Sequence, residues 1–151
     1  MSLRLCLRLI VLSLAVSLTA CSSFDRQWKE AATSRTAERW DGRWTSAKHI
    51  TGSGAPAGGR LRAVTETAPD GSMKAQIHAN WLAFSTNYTV TFQPKGGSPG
   101  GKRRAFSGTH QLPKMFGGTY RYEAVREGDH LTARYDSSYD HGKFDLHRVT
   151  R

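Results

Sequence analysis

Cysteine is nearly missing from this 151-residue chain: there are two, Cys6 and Cys21, both ahead of the first tryptophan. The remainder can close no disulfide and build no cysteine metal centre. Long apolar runs are missing too. The longest, Leu9 to Leu18, is broken by Ser13 and Ser17 and falls short of the roughly 18 to 20 residues that cross a bilayer as a helix, which argues against a polytopic membrane protein. Acidic residues are scarce, 12 against 22 lysines and arginines, for a net charge of +10. Arg4 and Arg8 carry two of those charges, so the basicity belongs to the body of the chain. A hydrophobic content of 38% supports one modest core and is too high for a wholly disordered protein.

What is present begins with a targeting pattern. Two arginines, an apolar run and the small residues Thr19 and Ala20 follow one another in the order of an export signal. Leu18-Thr19-Ala20-Cys21 resembles the lipobox of bacterial lipoproteins. That resemblance implies a signal peptide over residues 1–20, cut to leave Cys21 as the acylated first residue of the mature chain. More than one acyl chain, at about 0.8 kcal/mol per buried methylene, would hold the protein stably on a membrane. In the same family an aspartate after the cysteine marks inner-membrane retention; Ser22 stands there, which implies the periplasmic face of the outer membrane.

Residues 21–39 read as a tether and a short helix, with Phe24, Trp28 and Ala31 or Ala32 at spacings that share one helical face. From Trp40 the apolar period becomes two and stays so through residues 40–151. Trp40, Gly42, Trp44 and Ser46 share a face, as do Met73, Ala75, Ile77, Ala79 and Trp81, then Tyr120, Tyr122 and Ala124, then Leu131, Ala133 and Tyr135. Pro69-Asp70-Gly71, Glu127-Gly128-Asp129 and Asp140-His141-Gly142 supply tight reversals, while residues 51–59 and 95–101 read as the longer loops. About eight short antiparallel strands follow from this pattern. Closing the first strand on the last removes both exposed edges, so the expected fold is all-β, an eight-stranded up-and-down barrel with a short N-terminal helix. A two-sheet β-sandwich fits the same alternation.

Gly42-Arg43-Trp44 on the first strand resembles the Gly-x-Trp signature of lipocalins. The resemblance implies that Trp44 plugs one end of the barrel, that Arg148 on the last strand packs across its ring, and that the interior carries a small apolar or amphipathic molecule. The family's Thr-Asp-Tyr motif and C-terminal helix have no counterpart here. Trp81, Tyr88, Tyr120, Tyr122 and Tyr135 are the candidate ligand-contacting residues on the inward face, where the same mixture of large and small side chains is also able simply to pack. Lys95, Lys102, Arg103 and Arg104 form the clearest basic cluster and the candidate contact for an anionic envelope component.

Other patterns fail on chemistry. Gly96-Gly97-Ser98-Pro99-Gly100 spells the hydrolase motif, but Pro99 has no N–H to give to an oxyanion hole. Asp136, Asp140, His141, Asp145 and His147 are the densest group of potential metal ligands, yet they match no calcium loop and read as solvated, so no metal is expected. The other histidines, His130 among them, show no ligand spacing. No cofactor, catalytic constellation or nucleic-acid-binding pattern emerges. The expected function is that of an envelope-anchored binding lipoprotein, or alternatively of a non-enzymatic interaction lipoprotein using its basic surface.

Overall fold

The computed structural model describes residues 23–81, 84–96 and 101–150; Cys21 and Ser98 lie outside the described residues. The fold is all-β. Eight strands, β1 (Ala37–Ile50), β2 (Pro56–Thr67), β3 (Met73–Trp81), β4 (Phe84–Gly96), β5 (Arg103–Gln111), β6 (Thr119–Glu127), β7 (His130–Asp136) and β8 (His141–Arg148), run in sequence order. Each pairs antiparallel with its neighbour, and β1 pairs with β8 to close the barrel. Closure, rather than stacking into a sandwich, is what the edge argument requires.

The alternation in the sequence maps directly onto inside and outside. Trp40 on β1, Leu61 and Ala63 on β2, Met73, Ala75 and Ile77 on β3, Val90 and Phe92 on β4, Phe106 on β5 and their counterparts on β6 to β8 form one continuous core. β1 starts at Ala37, ahead of the expected boundary at Trp40, because Ala37 and Glu38 are already in register with Glu66 and Thr65 of β2.

β2 likewise starts earlier than its sequence shows. Gly58 and Gly59 belong to the strand, in register with Thr45 and Trp44, and not to the preceding loop. A side-chain carbon on Gly59 would fall inside contact distance of the Asn80 carbonyl oxygen and 3.1 Å from the Trp44 indole nitrogen. Glycine at that position is therefore what lets β3 and the Trp44 ring come close.

A helix over residues 23–31 lies on the outer wall of β2 and β3. Phe24 and Ala31 bury against Val64, and the Phe24 ring stacks on His78 with centroids 5.1 Å apart. Burial of the phenylalanine alone stabilises this arrangement by about 2 kcal/mol. Arg62 spreads over both Phe24 and Trp28, its guanidinium carbon 5.3 Å from each ring centre, so the expected Phe24/Trp28 face is the packing face.

Candidate functional site

The antiparallel order gives the barrel two unlike ends. The lower end gathers the start of β1, the end of β8 and the β2–β3, β4–β5 and β6–β7 connections. The upper end gathers the β1–β2, β3–β4, β5–β6 and β7–β8 connections.

The lower end is sealed, by a different tryptophan and a different arginine from the pair implied by Gly-x-Trp. Trp40 is fully buried and its indole N–H donates to Thr65 Oγ1 at 2.8 Å. The guanidinium of Arg126 lies over the Trp40 ring, 5.2 Å from its centre, and donates two hydrogen bonds, 2.6 and 2.8 Å, to the Glu38 carboxylate. Arg148 is level with Trp40 across the β1–β8 seam, far from Trp44, whose register partner is Phe144. It donates to Glu38 at 3.1 Å and pairs with Asp129 at the rim. Trp40 and Trp44 sit four residues apart on one face, and the earlier one is deeper because β1 begins before it. Beside them Arg104 caps Phe106, 5.1 Å above its ring, and donates to the Gly71 carbonyl at 3.0 Å.

The middle of the barrel is filled. Phe92, Tyr122, Phe144, Tyr135 and Tyr120 touch ring to ring in an unbroken series, with centroids 5.2 to 6.1 Å apart. Tyr122 and Tyr135, expected to face a ligand, are core residues within this series. Gly142 makes room for one of them: it pairs with Tyr135 across β7 and β8, and a methyl group there would meet the tyrosine hydroxyl. Loss of water raises the phenol pKa of Tyr88, Tyr122 and Tyr135 above the usual value, with Asp140 pushing Tyr135 further and a hydrogen bond linking Tyr88 to Tyr122.

The upper end is arranged otherwise. Asp140 is buried inside the β7–β8 connection, accepting from Ser46 Oγ at 2.6 Å and from the Tyr135 hydroxyl at 3.0 Å. Ser46 Oγ in turn accepts from the backbone N–H groups of Lys48 and His49, which ties the end of β1 to this connection. Around that floor stand half-buried aromatics. Trp44 donates its indole N–H to the Asn80 carbonyl at 2.9 Å, Trp81 meets it edge-on, and Tyr88 lies against His110 with centroids 5.1 Å apart. Above them, Ile50, Trp81, Met115 and Tyr139 are 68%, 48%, 76% and 45% exposed. Each comes from a different upper connection or strand end, which collects exposed apolar surface at one end of the barrel. Ile50 ends β1 beyond a register shift, and Met115 and Tyr139 sit in connections, so no periodicity marks them; His110 shares its strand face with Phe106, the one sequence signal for an inward position.

Two hollows lie on the outer wall. One of about 240 Å³ runs between Phe24 on the helix and Tyr88 on β4, and one of about 280 Å³ lies where β1 starts and the chain leaves β8.

The basic cluster does not present four open cations. Lys95 pairs with Glu123, Arg103 with Glu127, and Arg104 is turned onto Phe106, leaving Lys102 exposed on the connection. The five-residue group of acids and histidines is also divided. Asp140 points inward, Asp136 and His141 face each other near the upper end, and Asp145 and His147 lie on the outer wall near the lower end. Comparison with protein-family models, curated proteins and solved structures finds no match to this chain.

Proposed function

We propose that the protein is an envelope-anchored binding lipoprotein whose upper end takes one small amphipathic molecule. The observation that carries this reading is the asymmetry of the barrel: the lower end is sealed, while the upper one combines exposed Ile50, Trp81, Met115 and Tyr139 with a half-buried layer of Trp44, Tyr88, Tyr120 and His110. Apolar surface rimming a mouth matches the apolar part of a ligand, and phenol and imidazole groups beneath it match a polar head. With the middle of the barrel filled, this reading seats such a molecule at the mouth instead of deep inside, where of the candidate residues Trp81, Tyr88 and Tyr120 would contact it and Tyr122 and Tyr135 would support them from below.

Anchoring belongs to the same reading. Acylation at Cys21 would hold the chain on a membrane close to the outer wall of β3 and β4, where Ser23 lies beside Gln76 and Asn87. Labelled fatty acid should enter the wild type and not Cys21→Ala, with the mature chain starting at Cys21. Binding is tested on protein purified in a mild detergent and exchanged into nanodiscs. Titration with a lysophospholipid or long-chain fatty acid should shift tryptophan emission, and Trp81→Ala should weaken the response at least tenfold. A response of unchanged strength in Trp81→Ala, or none across a panel of amphipathic lipids, removes the mouth as a binding site.

A further inference from the structure

We propose that His130, Asp145 and His147 form a three-ligand site for a divalent transition metal ion of the zinc class on the outer wall of β7 and β8. The sequence shows only Asp145-x-His147, two residues that share a strand face. Strand register adds the third ligand: His130 and His147 are direct partners in the β7–β8 ladder. Their rings lie parallel, 3° apart in plane, with centroids 4.6 Å apart. Asp145 aims one carboxylate oxygen, Oδ1, at both: it lies 2.8 Å from His130 Nε2 and 3.7 Å from His147 Nε2. All three residues bring a ligand atom within 4.8 Å of the others.

Those separations bracket what a zinc ion demands. Metal–nitrogen and metal–oxygen distances of about 2.1 Å at tetrahedral angles put ligand atoms about 3.4 Å apart. To reach that spacing the two imidazoles tilt from parallel toward a common point. Their side chains are 41% and 72% exposed, which leaves the rings room to rotate toward solvent. Two imidazoles and one carboxylate are a borderline donor set that favours zinc, copper or nickel over magnesium or calcium. A metal held through Nε2 of each ring takes the imidazoles as neutral Nδ1–H tautomers, and water fills the fourth position.

The surroundings limit the affinity. Asp41 stands opposite His147 on β1 and is already paired with Arg60, and Arg43 stands opposite Asp145 and competes for its charge. The site crosses the β7–β8 ladder close to where Arg148 holds Asp129 and Glu38, so an ion there fastens the last strand to its neighbour beside the seam.

The test uses the full chain in detergent, titrated with zinc chloride by calorimetry and followed by NMR of the histidine ring nitrogens and carbons. Zinc should bind with one-to-one stoichiometry, move the resonances of His130 and His147 ahead of the other four histidines, and raise the melting temperature. His147→Ala, His130→Ala and Asp145→Asn should each weaken binding at least tenfold, while His141→Ala at the other end of the same strand should leave it unchanged. Shifts that appear first at other histidines, or affinity that is the same in all four variants, overturn the assignment. Because the NMR readout needs no substitution, it decides the question even if a variant folds poorly.

Discussion

At the lower end of the barrel an indole, a guanidinium and a carboxylate are stacked in that order, with the fully buried Trp40 innermost beneath Arg126 and Glu38. At the upper end the indoles of Trp44 and Trp81 meet edge to face, and the second of them is half exposed, with no cation laid across it among the described residues. The strands are the same, and so is the inward alternation; what differs is how far charge covers the aromatic layer, since at the upper end Lys48 lies 5.8 Å from the centre of the Tyr139 ring and leaves that residue 45% exposed. Where it does, the end is finished and contributes to stability. Where it does not, apolar surface is left facing outward, a feature that stability alone gives no reason to keep.

The largest effect separating the ends should come from alkali. Tyr88, Tyr122 and Tyr135 belong to the middle and upper barrel, and their folded-state pKa values are raised from the ordinary 10.0. A raised folded-state pKa means that the stabilisation is complete below about pH 10 and disappears as the pH climbs above it. Absorbance at 295 nm and far-UV circular dichroism should therefore change together in one cooperative step above pH 10. Smooth ionisation of all five tyrosines near pH 10 with the β signal intact would contradict the packed middle.

Among substitutions, Trp40→Ala should cost most, about 3 to 5 kcal/mol in urea denaturation, because a buried indole leaves a cavity and an unpaired Thr65 hydroxyl. Arg126→Ala should cost about 1 to 3 kcal/mol by stripping the ring of its cover and Glu38 of its bidentate partner. Arg148→Ala, at the exposed rim of the same network, should cost less than about 1 kcal/mol. If Arg148 proved more costly than Arg126, the sealing role would revert to the last strand. Trp81→Ala should change stability by no more than about 0.5 kcal/mol while losing the lipid response, which is the clearest way to show that the upper end serves binding and the lower end folding.

The strand count and the inside–outside assignment could be read from the sequence because both follow from a period of two, which is local. Depth along the barrel could not. Trp40 and Trp44 share a face, and which of them lies at the end depends on where β1 begins and how it is staggered against β2 and β8. Arg126 reaches Trp40 across the barrel, a neighbourhood that no spacing in the chain records. His130 joins Asp145 and His147 for the same reason, through register with a strand whose start is fixed by the turn before it. Arg104 is a different case: it has the parity of Phe106, so its inward turn is legible in the phase of the strand even though it stands within a run of three basic residues.

The seam between β1 and β8 also bears on time. Seven register pairs, from Trp40 with Arg148 to Ser46 with Gly142, join the first strand to the last. Contacts between residues this far apart in sequence form late, since the intervening loop must first lose its freedom. A growing chain cannot close this barrel until its final strand has emerged, and until then both edges stay open. A barrel that waits for the eight residues of β8 is a fold whose topology delays its own completion.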